Sequence, residues 1–367
     1  MRVDPDVQLV TRPRTITGTG TRELAPLRPS IVFCQTLEFL EIENLSNVLA
    51  VVCDDQSVDS HVKVVCKIKG IPIVPSSAAV SIDGLVSVSV TEDLFAQAPH
   101  PERSPAFQVS IFEPSDAVGL DAGCVSAVFV RAEHVYLAHR RELEASAYSP
   151  RVVASLVEDY LRRLLEILDP EIDVLLRGVD VRSNDPVAGM LGAPRETNPD
   201  LGRHGVRSLL THPALAEAER SAVRTFGKRV QYALPFVSRK SDVDDYLSRF
   251  PSTRDERPVA VFLETPAALH SIDSFAGREI CIGLKDVAQF YFAADRSNPA
   301  VAAWLDYQDS HLVDMVADSV GRAERFGSRI SLYQDASMSK TYESALRDVA
   351  WLRSIPRATL LPSTVAS

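Results

Sequence analysis

The chain has 367 residues, enough for one large barrel plus a small domain or for two to three average domains. Hydrophobic residues make up 46% and charged residues 24%, so a sizeable core can form, while a net charge of −10 with no basic block argues against nucleic acid or an anionic membrane as partner. The five cysteines (Cys34, Cys53, Cys66, Cys124, Cys281) show no CxxC pair, which fits a reducing cytoplasm, and neither a signal core nor a membrane-spanning run is present.

Residues 1–29 are polar and rich in Thr, Arg and Pro, the composition of an N-terminal arm or a first irregular strand. From Ser30 come short β-rich runs, SIVFC, VLAVVC, IPIVP and LVSVSV, and Asp83-Gly84 before the last favours a hairpin turn. Between the second and third runs, Ser60 is placed to cap a helix from His61 to Lys69 that Gly70 and Pro72 end. Residues 30–98 form one small β/α domain on this reading, and the proline-rich stretch 99–105 is a linker to a larger domain over 106–367. There FQVSIF reads as a strand, and Val152, Val153, Leu156, Tyr160, Leu164 and Ile167 make one face of a helix from Pro150 to Leu168.

Further on, two apolar runs, Val259–Leu263 and Ile280–Ile282, each stop at a turn that carries a carboxylate, Glu264 and Asp286. The segment Ala267–Phe275 between them has the length of a helix opened by Pro266. A strand–helix–strand unit with right-handed crossover brings both carboxylates to the same end of one sheet, on adjacent strands. Two hard oxygen ligands there suit a Mg²⁺ shared with a phosphorylated or 2-oxo acid substrate; two acids that cap helices or form salt bridges fit the same spacing.

The segment LETPAA followed by IGLKDVAQFYFAADR resembles the metal-binding region of the phosphoenolpyruvate-utilising enzymes: pyruvate phosphate dikinase, phosphoenolpyruvate synthase and enzyme I of the sugar phosphotransferase system. The resemblance puts Glu264 and Asp286 at the family's metal-ligand positions. QSVDSHVKVVCKIKGIP is similar to the family's phosphohistidine segment, with His61 at the position that accepts a phosphoryl group, although the paired glycines before it are missing. VLLRGVDVRSNDP puts Arg182 where the family has a phosphate-binding arginine, and NPDLGRHGVRS resembles the family's NPxLGxRGxR, with Arg207 matching and His204 at the position of an arginine. On a short strand Arg203 and His204 would point to opposite faces, so Arg203 does not take over. RVQYALPFV, SRISLYQDAS and ATLLPSTV resemble the fourth, seventh and eighth barrel strands, with Tyr333 at the family's cysteine.

The resemblance implies an α/β protein: a small swivelling phosphohistidine-type domain followed by a (β/α)₈ barrel with its site at the C-terminal ends of the strands. It implies Mg²⁺, a homodimer, and a separate phosphoryl donor or acceptor protein, since nothing in the chain supplies an ATP-grasp domain. Three residues depart from the pattern: Lys285 for Asn, His204 for Arg and Tyr333 for Cys. Lys285 either points away from the metal, replaces it by pairing with Glu264 and Asp286, or binds the substrate anion itself. The leading reading is a phosphotransferase-type enzyme acting on phosphoenolpyruvate, pyruvate or a related 2-oxo acid. In it His61 relays the phosphoryl group, Arg182, Arg207 and Lys285 hold anionic groups, and Tyr333 handles a proton in a mouth that includes His204. Carbon–carbon bond chemistry on a 2-oxo acid and a catalytically inactive binding protein are the alternatives.

Overall fold

The computed structural model describes residues 9–21, 29–34, 47–53, 71, 73–74, 76–82, 85–95, 107–120, 122, 125–185, 188, 195–298, 300–334, 342 and 352–356. The chain divides into two compact units, Met1–Ala98 with Thr359–Ser367, and Pro99–Ala358.

The first unit is built on a six-stranded sheet of β1 (Leu9–Thr21), β2 (Ser30–Cys34), β3 (Val48–Cys53), β4 (Ile73–Val74), β5 (Ala79–Ile82) and β6 (Leu85–Phe95), ordered β4-β3-β2-β1-β6-β5. Of the two readings of the N-terminal stretch, arm or first strand, Leu9–Thr21 takes the second: it is β1, paired antiparallel to β6 from Leu9↔Phe95 to Thr19↔Leu85 and parallel to β2. Val10, Ile16 and five threonines are β-branched, and such residues favour strands whatever their polarity. Ile82 pairs with Leu85, and the Asp83-Gly84 turn expected between them lies outside the described residues. Ile31, Ala50, Val52, Val74 and Val86 form this unit's apolar cluster. His61 and its expected helix lie outside the described residues.

The second unit is a closed barrel of eight parallel strands: β7 (Phe107–Ser110), β8 (Val125–Arg131), β9 (Asp173–Arg177), β10 (Val230–Val237), β11 (Ala260–Leu263), β12 (Glu279–Gly283), β13 (Arg329–Gln334) and β14 (Leu352–Pro356). Every residue of β10, β11 and β12 is buried, as expected of strands covered on both faces. Around them run α1 (Ala132–Ala138), α2 (Arg140–Ala145), α3 (Pro150–Ile167), α4 (Val206–Thr211), α5 (Pro213–Arg224), α6 (Lys240–Arg249), α7 (Pro266–His270), α8 (Leu284–Phe292) and α9 (Ser310–Arg325). Helix α3 buries Val153, Leu156, Val157, Tyr160, Leu161 and Leu164, the spacing of one apolar stripe. Among the described residues no helix is long and apolar enough to cross a membrane.

Two local readings change. The helix expected over Ala267–Phe275 stops at His270 and continues as a 3₁₀ turn, Ile272–Phe275. There the Ser271 hydroxyl donates to Ala267 O at 3.0 Å and the Ser274 hydroxyl to Ser271 O at 2.7 Å, local bonds that compete with the helix ladder. The eighth strand is Leu352–Pro356, upstream of the 358–365 stretch expected to form it, because it is Ile330–Gln334 of β13 that it pairs with.

Inside the barrel, Phe129, Leu175, Ala233, Ala260, Phe262 and Cys281 form one cluster with Tyr333 packed against it. Side chains alternate along a strand, so two residues beyond Phe129, Leu175 and Phe262 come Arg131, Arg177 and Glu264, at the C-terminal ends of β8, β9 and just past β11. An apolar floor with a charged rim follows from that period alone.

Candidate functional site

Arg177 is the hub of the rim. Its guanidinium pairs with Glu133 of α1, lies 3.6 Å from Asp180 and 3.4 Å from Glu264, and sits over the Phe262 ring at 5.3 Å. Burial opposes its charge, but the three carboxylates outweigh that and hold it firmly protonated.

Glu264 is 3% exposed, and its two oxygens diverge: Oε1 meets Arg177 and Oε2 accepts the Phe236 N–H at 2.9 Å. Gly283 makes room for it, since a Cβ there would stand 2.8 Å from Glu264 Cγ. Burial pushes the Glu264 carboxyl up to about 7; Arg177 pulls it down, while Asp286 and Asp180 add to the rise.

Asp286 sits in the first turn of α8, one step past β12 rather than in an open turn. Its Oδ1 meets Arg182 at 3.2 Å and Arg296 at 3.0 Å, and its Oδ2 accepts a second bond from Arg296 at 3.2 Å. Burial works against ionisation, but Arg296 and Arg182 hold the carboxyl below its ordinary range. Arg182 bridges Asp286 to Asp200, and its own N–H donates to Asp185 at 2.6 Å. Lys285 is half-buried in the same turn as Asp286.

His204 is fully buried, with neither ring nitrogen facing open space. Nδ1 meets Asp180 at 2.8 Å and Nε2 meets the Asp200 carbonyl at 2.8 Å. A carbonyl oxygen and a carboxylate can only accept, so both nitrogens donate and the ring is an imidazolium. Burial lowers its pKa, yet Asp180 outweighs burial and the net shift is upward. No strand forms at Arg203–His204: the chain bends into α4 through Gly205, whose φ is 57°. Arg207 donates to the Leu201 and Gly202 carbonyls at 3.2 and 3.1 Å and lies over Phe236 at 5.5 Å, so it braces this bend.

Tyr333 stands lower, between Phe129 and Phe262, with its hydroxyl donating to Gln108 at 3.1 Å. Burial first, then Cys281, raises its pKa well above 10, so the phenol keeps its proton. The structure therefore joins Arg182, Glu264, Asp286 and His204 in one network of charges through Arg177, Asp180 and Arg296, with Tyr333 below and Arg207 to one side. The sequence reading missed Arg177 and Asp180, although both stand in the RGVDVR stretch that supplied Arg182.

The family model described as PEP-utilising enzyme, PEP-binding domain matches residues 109–342. The chain belongs to the PEP-utilising enzyme family. A phosphoenolpyruvate-protein phosphotransferase of Haloferax volcanii is 32% identical over 169 residues, 41% of this chain and 30% of its own. Another phosphoenolpyruvate-protein phosphotransferase, of Streptomyces coelicolor, is 27% identical over 323 residues, 79% of this chain and 57% of its own. This PEP-utilising chain thus spans about a third to just over half the length of these relatives. Among solved structures, an HpcH/HpaI aldolase/citrate lyase family protein from Burkholderia cenocepacia J2315 matches with TM-score 0.41 and 14% identity, covering 70% of this chain and 90% of its own, a likeness too loose to bear on function.

Proposed function

We propose that the barrel mouth binds phosphoenolpyruvate or a related 2-oxo acid and exchanges a phosphoryl group with His61, which passes it to a separate protein. The observation that carries this is the set of three guanidiniums, Arg177, Arg182 and Arg296, drawn to one rim by Glu264 and Asp286. Planar forks match the oxygens of phosphate and carboxylate, and each is held ready by a carboxylate that a ligand can replace.

The donors present fit Mg²⁺. Asp286 Oδ2 and both Glu264 oxygens each accept one bond, which leaves each a lone pair, and the crowding of Asp180, Glu264 and Asp286 calls for positive charge. Among the described residues no group of three His, Cys, Asp or Glu is placed to hold a metal ion, so an ion here would rest on two carboxylates with substrate and water oxygens completing its shell. Glu264 and Asp286 would hold it, and when bound it would neutralise charge that develops on the substrate oxygens. Tyr333, protonated and below the rim, is an acid here and not a base. His204 fixes Asp180 against Arg177 instead of touching the ligand.

The test is incubation of the full chain with radiolabelled phosphoenolpyruvate and Mg²⁺. Acid-labile label on the wild type, absent from H61A, is expected. Pyruvate release with no label on the protein would instead mean that the barrel works without His61.

A further inference from the structure

Behind the rim, between the barrel wall and its helices, lies a second carboxylate that the reading above does not use. Glu219 of α5 is fully buried. Tyr136 of α1 donates to its Oε1 at 2.5 Å and Tyr232 of β10 to its Oε2 at 2.5 Å, while the Val179 N–H points at both oxygens, at 3.2 and 3.3 Å. Tyr232 alternates with the inward-facing Ala233, so its ring is on the outer side of the barrel. Gly178 closes the arrangement. A Cβ there would stand 2.1 Å from the Tyr232 hydroxyl and 3.0 Å from Glu219 Oε2, so no other residue lets the backbone approach so near.

The segment so held is Arg177-Gly178-Val179-Asp180. Its Gly178 N–H is tied to Ala233 O at 3.0 Å and its Val179 N–H to Glu219. Its two ends are the hub guanidinium and the carboxylate that meets His204. A buried carboxylate costs desolvation free energy that an apolar side chain of the same size would not, so packing alone does not account for Glu219.

We propose that Glu219 is a positioning residue: from outside the barrel it fixes the Arg177–Asp180 segment so that Arg177 and Asp180 both face the rim. Only the consequence for ligand binding rests on the functional reading above; the placement of Asp180 does not. The groups facing Glu219 are Tyr136 from α1, Tyr232 from β10 and the Val179 N–H, with Glu133 of α1 close enough to disfavour its charge. The groups facing His204 are Asp180, Arg182 and the Asp200 carbonyl.

The experiment is a titration of the His204 ring by NMR in wild type, E219Q and, in case E219Q does not fold, Y232F and Y136F. With Asp180 loosened, the His204 pKa falls by about one unit in E219Q and by part of that in each tyrosine variant, a tenfold change in protonation per unit. Oxalate affinity in Mg²⁺ falls about tenfold alongside. A folded E219Q, or folded tyrosine variants, with an unmoved His204 titration overturns the proposal. A wild type that binds no oxalate while His204 still shifts in the variants overturns the functional reading and supports the positioning role.

Discussion

The Phe236 N–H reaches Glu264 at 2.9 Å because Phe236 leaves strand geometry, with φ at 48°, where β10 slips register against β11 between Leu234 and Val237. Positive φ is unfavourable for an aromatic residue and persists only where surroundings enforce it. Gly205 is part of that enforcement: a Cβ there would stand 2.4 Å from Phe236 Cβ and 3.0 Å from Pro235 O, and its own φ is positive. Gly205→Ala is therefore expected to destabilise the chain by roughly 1–3 kcal/mol, read from urea denaturation, and to loosen Glu264. An unchanged midpoint would show that the bend and the strand end are not coupled.

Arg177 compensates three buried carboxylates at once. Arg177→Met keeps the bulk and removes the charge, taking the guanidinium away from Glu133 and Glu264 and leaving Asp180 to His204. Loss of one partner of a buried pair costs about 3–5 kcal/mol, and that is the drop expected in denaturant titration. A surface-like loss below about 1 kcal/mol would mean the carboxylates take up protons instead.

The pH dependence has a definite sign. An unfolded glutamate titrates near 4.5, and Glu264 is raised to about 7, so between those values the folded chain holds a proton the unfolded chain has lost. Stability from this group is full below pH 4.5 and is lost as pH rises through 7. The steepest loss is roughly 1 kcal/mol per pH unit. Glu264→Gln removes it, so the wild-type minus variant difference in unfolding free energy should fall across this window. Glu219 shifts the same way and cancels in the difference. A flat difference would place the Glu264 proton elsewhere.

Arg182 uses its fork in two directions, toward Asp200 and toward Asp286. A lysine has one point charge and cannot span both. Arg182→Lys is expected to weaken oxalate binding in Mg²⁺ about tenfold by calorimetry, with little change in melting temperature because the side chain is partly exposed. Equal affinity would remove Arg182 from the ligand-binding set.

Much of the barrel was legible because buried parallel strands leave continuous apolar runs, and the run ends pointed to Glu264 and Asp286. Arg177 was legible too, two residues past Leu175 on an inward-facing period, but Arg182 in the same stretch drew the assignment. His204 carries no mark in the sequence that its partners would be Asp180 and a carbonyl, since Asp180 lies 24 residues away and meets it only in the fold. The slip of β10 does have a mark in VQYALPFV, since Pro235 has no N–H for the ladder and falls within the register shift, but nothing there specifies the positive φ of Phe236. For β1 polarity left arm and strand both open, and its β-branched residues favour the strand.

The most direct measurement is a crystal of the chain soaked with Mg²⁺ and oxalate. Density bridging Glu264 and Asp286, with the oxalate oxygens taken up by Arg177, Arg182 or Arg296, is the predicted result. A well-ordered rim in which those arginines keep their carboxylates and oxalate is absent or bound elsewhere would contradict the account.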